Sequence, residues 1–282
     1  MAAMFFGQYL LSKGVIDREA LIDAIERQRR SNLSLPQLAV REGMLEPAQA
    51  DEILARYRTS DVDLEELCVR SAYLQSDQFE KLTRIQRADW VRIGSALVAG
   101  GHLSQNEVEK RLADFREMER AADQRLEADF MSCREPGTVK TCVELSMFHV
   151  GRLTDKPVKL RSLTAEADGR LATGRRRYGQ KLVGDRDLVV ALDLPSELAA
   201  VMAERMLGIA LEKESDAAVD AVCECVNMIG GNACTRLEAS GLKLRPEPPF
   251  SVGADEPDFP EGACAQALII ADEAELDVRV FL

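Results

Sequence analysis

Over roughly the first 117 residues the apolar positions return every 29 residues. The markers Gly14, Gly43, Ala72 and Gly101 stand at that spacing, each with an apolar residue three before it and another two after it. Those pairs are Leu11 and Ile16, Val40 and Leu45, Val69 and Leu74, and Val98 and Leu103. The register continues through Leu21, Ala50, Phe79 and Val108, then Ile25, Leu54, Thr83 and Leu112. A marker that is glycine in three of four copies suits the residue just past a helix end, where φ is positive. Three residues later come Asp17, Glu46, Gln75 and Ser104. Asp17 and Ser104 suit the N-cap of a following helix, and Ser104 to Glu107 has capping-box spacing. Each unit is therefore expected to be a short helix, a tight turn and a longer helix, the stacked units sharing one apolar seam. The last helix is expected to run on through Glu117–Met131, until Cys133-Arg134-Glu135-Pro136-Gly137 breaks it.

Beyond that break the period changes. Val139–Leu153 reads as a helix with Val143, Met147 and Val150 on one side. β-like runs follow at Val158–Ala165, Gln180–Val183, Leu188–Leu194, Gly241–Leu244, Ala265–Ile270 and Leu276–Phe281, with turn signals at Asp168-Gly169 and Gly184-Asp185. Helices are expected from Pro195 to Leu207 and from Asp216 to Leu237. Paired strands with three helices and no regular βαβ alternation indicate an α+β domain. The expected organisation is two domains: an all-α helical repeat domain over 1–133 and an α+β domain over 138–282, with the boundary inside Ser132–Thr138. The Arg175-Arg176-Arg177 run reads as a solvated turn or as a contact for an acidic partner surface.

Composition narrows the chemistry. Apolar residues make up 46% of the 282 and charged residues 30%, as in a folded chain. Lys and Arg number 36 against 48 Asp and Glu, a net −12 in which both halves share. Neither half is a basic module, which argues against a nucleic-acid or anionic-membrane partner. The seven cysteines are scattered, without a CxxC knuckle, and read as reduced thiols of a cytoplasmic protein. No basic segment leads into an apolar one and no apolar run approaches 18 residues, so no membrane insertion is expected. His102 and His149 are far apart in sequence and lack metal-ligand spacing, which argues against a zinc hydrolase; no cofactor is expected to be bound by this chain.

The third helix of the second half holds the candidate site. Val219, Val222, Val226, Ile229, Ala233 and Leu237 follow steps of three and four and form a core stripe. Glu224 and Asn227 fall about 60° apart, on the face away from it. Substituting either should therefore barely disturb the fold. Gly230-Gly231 follows, although glycine within a helix costs about 1 kcal/mol against alanine. A carboxylate, a carboxamide and a missing side chain make a place where another backbone can approach; the same geometry also describes an ordinary solvated helix face. Cys223 and Cys225 lie about 200° apart and read as spectator thiols.

The segment Asp220-Ala-Val-Cys-Glu224-Cys-Val-Asn227-Met-Ile-Gly230-Gly231-Asn232-Ala-Cys-Thr-Arg-Leu237 resembles the catalytic helix of the CheX/CheC/FliY phosphatases, which act on CheY-like response regulators. The resemblance extends to Gly184-Asp185, to Leu188 through Ala199, to Met206-Leu-Gly208, and to Leu244 through Phe250. It implies an antiparallel sheet with long helices on one face, and a homodimer for the CheX type. It also implies catalytic roles for Glu224 and Asn227, with Asp220, Gly230 and Gly231 meeting the partner. CheC-type members carry a second Glu-x-x-Asn in the first helix; here the matching stretch is Glu144-Leu-Ser-Met147, so the implied type is CheX with one site. The implied partner is a phosphorylated receiver domain that brings its own Mg²⁺. The units Phe6 to Ile16 and Arg92 to Leu103 resemble the amino-terminal helical domain of type II secretion and pilus ATPases, some of which bind cyclic di-GMP through an Arg-Leu-Gly opening. Arg92-Ile93-Gly94 is the one such opening here, so the helical half is expected to act as a scaffold that binds the nucleotide poorly. The alternative to a phosphatase is a non-catalytic adaptor that binds a receiver or responds to cyclic di-GMP.

Overall fold

The computed structural model describes residues 4–60, 62–212, 215–253, 262–271 and 274–282. The chain forms two compact units, one reaching to Ala121 and the other spanning Ala122–Leu282.

The first unit is helical throughout its described residues. Short and long helices alternate: α1 (Phe6–Ser12), α2 (Arg18–Ser31), α3 (Leu35–Arg41), α4 (Pro47–Arg58), α5 (Leu64–Arg70), α6 (Ser76–Asp89), α7 (Ile93–Ala99) and α8 (Gln105–Ser132). All four markers adopt the left-handed conformation: Gly14 at φ 63°, Gly43 at 70°, Ala72 at 56° and Gly101 at 75°. That conformation strains the Ala72 Cβ by about 1 kcal/mol, while glycine adopts it freely. Every unit caps its long helix, by two chemistries. Asp17 accepts from the Ala20 N–H at 2.8 Å, and Ser104 and Glu107 make the full reciprocal box. In the middle units the N3 glutamines reach back instead, Gln49 to the Glu46 N–H and Gln78 to the Gln75 N–H, both at 2.8 Å.

The shared seam expected from the repeat is not what forms. The first and fourth units close one core, with Leu10, Ile16 and Ala24 against Leu97, Leu103 and Val108. The second and third close another, with Leu38, Leu45 and Ile53 against Cys68, Leu74 and Leu82. Polar bonds tie the connectors of the two pairs: the Val91 N–H donates to Asn32 Oδ1 at 2.8 Å, and Asn32 Nδ2 and Gln28 Nε2 both donate to the Val91 carbonyl at 2.9 Å. A 29-residue period defines the apolar face of each unit but not which other unit covers it.

The second unit adds α9 (Pro136–Thr154), β1 (Val158–Asp168), β2 (Arg175–Gly184), β3 (Leu188–Pro195), α10 (Ser196–Leu207), α11 (Asp216–Ala239), β4 (Leu244–Pro246), β5 (Phe250–Val252), β6 (Ala263–Ala271) and β7 (Ala274–Phe281). Its described strands form an antiparallel sheet in the order β1-β6-β7-β3-β2-β4, with β5 also paired to β2. This is the α+β sheet with long helices that the sequence implies.

The unit division falls at Ala121/Ala122, inside α8, and not at Ser132–Thr138. Phe130 and Cys133 explain the shift, because both are buried in the core of the second unit. Proline does end the helical run, but as the first residue of α9, a position that needs no N–H donor.

One face of the sheet supplies Leu182, Leu188, Val190, Leu192, Ile269, Val278 and Val280 to a core shared with Val143 and Val150 of α9, Met202 of α10 and Val222, Val226 and Ile229 of α11. Strand alternation sends the intervening residues to the other face. There Arg177, wholly buried, grips Asp193 through two bonds at 2.8 and 3.0 Å. Arg279 shares the same carboxylate at 2.5 Å, and Arg175 pairs with Asp277 at 2.8 Å. The arginine run is thus a strand and not a solvated turn. Its local sequence could not show this, because the neutralising carboxylates come from β3 and β7.

Candidate functional site on helix α11

Ser215 caps α11 through a bond from the Ala218 N–H at 3.3 Å. Of the expected core stripe, Val222, Val226, Ile229 and Ala233 are fully buried and Leu237 nearly so, while Val219 is half-exposed. The buried face is wider than that stripe and includes Cys225, Met228, Gly230 and Cys234, because α11 packs against the sheet with α9 and α10 also on it.

This width moves Asn227. Glu224 and Asp220 are exposed, but Asn227 is half-buried at the rim, its Oδ1 accepting from Gln180 Nε2 of β2 at 2.8 Å. Its Nδ2 faces Glu224 Oε2 across a long 3.5 Å. The expectation that both side chains point clear of the fold holds for Glu224 and fails for Asn227. Truncating the amide takes one of the two hydrogen-bond acceptors from Gln180, itself fully buried.

The two glycines separate. Gly231 is half-exposed, and a Cβ there would meet nothing within 4 Å, so its surface stays open to an approaching chain. Gly230 is buried, and a Cβ there would run into Gln180 Oε1 and lie 3.1 Å from Leu182. Its expected role in meeting a partner is therefore corrected: its missing side chain makes room for an internal glutamine. Adjacent helix positions are about 100° apart, so one of the pair faces in and the other out. Asp220, Glu224, Asn227 and Gly231 form one outward stripe in steps of four, three and four.

Gln180 is the residue that sequence reading passed over. The signal was a lone carboxamide at the helix-facing position between Tyr178 and Leu182, where the strand pattern calls for an apolar side chain. It lies beneath the β4–β5 connection, and its Nε2 also donates to the Glu247 carbonyl at 2.7 Å.

The thiols on α11 beside this stripe are not activated. Burial pushes the Cys225 thiol up to about 12 and the Cys223 thiol to about 11, so both stay protonated and unreactive at neutral pH. Among the described residues no cluster of three or more His, Cys, Asp or Glu could hold a metal ion. No helix among them is long and apolar enough to cross a membrane. What the stripe offers is a carboxamide of fixed orientation and an exposed carboxylate one turn away.

Residues 180–261 match the family described as chemotaxis phosphatase CheX. The chain is also similar to the solved chemotaxis protein CheX from Vibrio vulnificus, at 17% identity and a TM-score of 0.46, over 51% of this chain and 98% of that one. A CheC-like superfamily protein from Shewanella sp. PV-4 shows 16% identity and a TM-score of 0.45, over 51% and 96%. The CheX-CheY-BeF3-Mg complex from Borrelia burgdorferi shows 15% identity and a TM-score of 0.41, over 51% and 96%. No curated protein matches the chain. The family match lies wholly in the second unit, and these comparisons do not support the expected likeness of the helical units to secretion and pilus ATPases. The matched stretch of the second unit, from the strand that carries Gln180 through the helix that carries Glu224 and Asn227, is similar to the CheX family.

Proposed function

We propose that the chain hydrolyses the aspartyl phosphate of a CheY-like receiver domain, with Asn227 and Glu224 as the groups that enter the receiver's site. The observation that carries this reading is the pair itself: a carboxamide and an exposed carboxylate one turn apart on α11, within the segment that matches the CheX family. Phosphoryl transfer is mostly positioning and electrostatics, and a carboxamide can orient water without adding negative charge beside the phosphoryl oxygens. The Asn227 oxygen has two lone pairs; Gln180 occupies one, and the other is left for the attacking water. Glu224 engages the receiver's lysine and fixes the angle of approach. Asp220 and Gly231, on the same stripe, line the docking surface. Mg²⁺ belongs to the receiver, and this chain supplies no ligand to it. The helical unit acts as a scaffold.

The test is dephosphorylation of CheY-like receivers by the full chain. Asn227→Ala should still bind the phosphorylated receiver but lose on the order of a hundredfold in stimulated hydrolysis, about 3 kcal/mol of barrier. Asn227→Asp should be as poor, because it places a charge beside the phosphoryl group. Glu224→Ala should weaken binding as well as rate. A variant lacking Asn227 that hydrolyses at the wild-type rate would refute the water-orienting role, and receiver binding without hydrolysis by the wild type would make the chain an adaptor.

A further inference from the structure

Gln180 is a fully buried carboxamide in a strand whose neighbours on the same face, Tyr178 and Leu182, are core residues. Both of its N–H groups are used, one on the Glu247 carbonyl at 2.7 Å and one on Asn227 Oδ1 at 2.8 Å. Its own oxygen is buried with no hydrogen-bond partner. An unpaired buried acceptor is costly, and a leucine or methionine would avoid the cost. The chain retains the glutamine and also places glycine at position 230, where any Cβ would meet that oxygen. Two unfavourable choices on two elements, a strand and a helix, therefore converge on delivering one donor to Asn227.

That donor fixes which way Asn227 faces. A backbone carbonyl only accepts, so the Gln180 group facing Glu247 is its NH₂. The Asn227 atom meeting the same NH₂ must then be its oxygen, which leaves Nδ2 toward Glu224. Without this contact the carboxamide could rotate by half a turn and exchange the places of its oxygen and amine. We infer that Gln180 is a positioning residue that locks the Asn227 amide with its oxygen in the productive orientation, with Gly230 making the room for it. This rests on the reading of Asn227 as the water-orienting group.

The experiment compares the full-length wild type with Gln180→Met, which keeps the length and removes the donor, and Gly230→Ala, which displaces the glutamine while leaving β2 untouched. The receiver is a CheY-like domain phosphorylated by acetyl phosphate for turnover and loaded with BeF3 for affinity. Turnover should fall about tenfold in both variants while receiver affinity changes by less than about twofold, since a misplaced group lowers rate without removing a contact. Side-chain nitrogen relaxation should show the Asn227 NH₂ group becoming more mobile. In an Asn227→Ala background, Gln180→Met should lower turnover no further, a coupling that a purely structural role would not produce. If Gln180→Met does not fold, Gly230→Ala carries the same comparison. Unchanged turnover and unchanged Asn227 mobility in a folded variant overturn the positioning role alone. A wild type inactive on phosphorylated receivers overturns the reading of Asn227 and this inference with it.

Discussion

Residues up to Ala121 divide their apolar side chains between two small cores, each closed by two 29-residue units, whereas residues from Ala122 onward place most of theirs in one core between a sheet and three helices. The second unit also buries ionised groups: Arg177, Asp193 and Arg279 lie together on the far face of the sheet. The helical unit keeps its ion pairs exposed, for example Arg27 with Asp23 and Arg70 with Glu66, four residues apart on their helices. A repeat can be stabilised by caps, turns and small apolar contacts written into each copy. An antiparallel sheet packed on helices instead depends on partners far apart in sequence. The same division places the candidate chemistry in the second unit, where a strand residue can hold a helix residue at a fixed angle.

The comparison breaks most visibly at the buried charges. Asp193→Ala leaves Arg177 and Arg279 buried without their shared carboxylate, and should cost about 3–5 kcal/mol of stability. Chemical denaturation should show this loss in the second unit, and an unchanged midpoint would mean that water reaches these groups. In the helical unit, Leu82→Ala opens a cavity in the core of the second and third units, costing about 2–4 kcal/mol. Hydrogen exchange should accelerate in α3 to α6 more than in α1 and α7, and an equal loss everywhere would show that the two cores melt as one. Asn227→Ala should lower the stability of the second unit by about 1 kcal/mol through the lost Gln180 bond, where a residue clear of the fold would change nothing measurable. The smallest effect has the opposite sign. Ala72→Gly relieves the left-handed strain at the third marker and should raise stability by about 0.5–1 kcal/mol, readable as a higher Tm.

Much of this was legible in the chain before any fold was known. The four markers predicted four left-handed turns, the caps at Asp17 and Ser104 predicted helix starts, and α11 was visible with its Glu224 and Asn227 spacing. These are local matters: φ at one residue, a side chain reaching three positions on, or apolar positions repeating with the helical turn. The short strand β5 was not seen, since Phe250–Val252 is too brief to show alternation and is defined by its pairing with β2.

What only the tertiary structure decided depends on which surfaces meet. The first unit packs on the fourth and the second on the third, a choice that four similar apolar faces cannot express in sequence. The division between the units falls within α8, because Phe130 and Cys133 find their contacts beyond the break that Pro136 marks. Arg177 became a core residue when the sheet brought Asp193 and Arg279 beside it. Asn227 moved from a free helix face to a held one because a glutamine 47 positions earlier reaches it past a glycine. Sequence by itself determined the local conformations and the residue types available for chemistry. Burial, charge pairing and the orientation of one carboxamide are properties of neighbours distant along the chain, and only the folded chain supplies them.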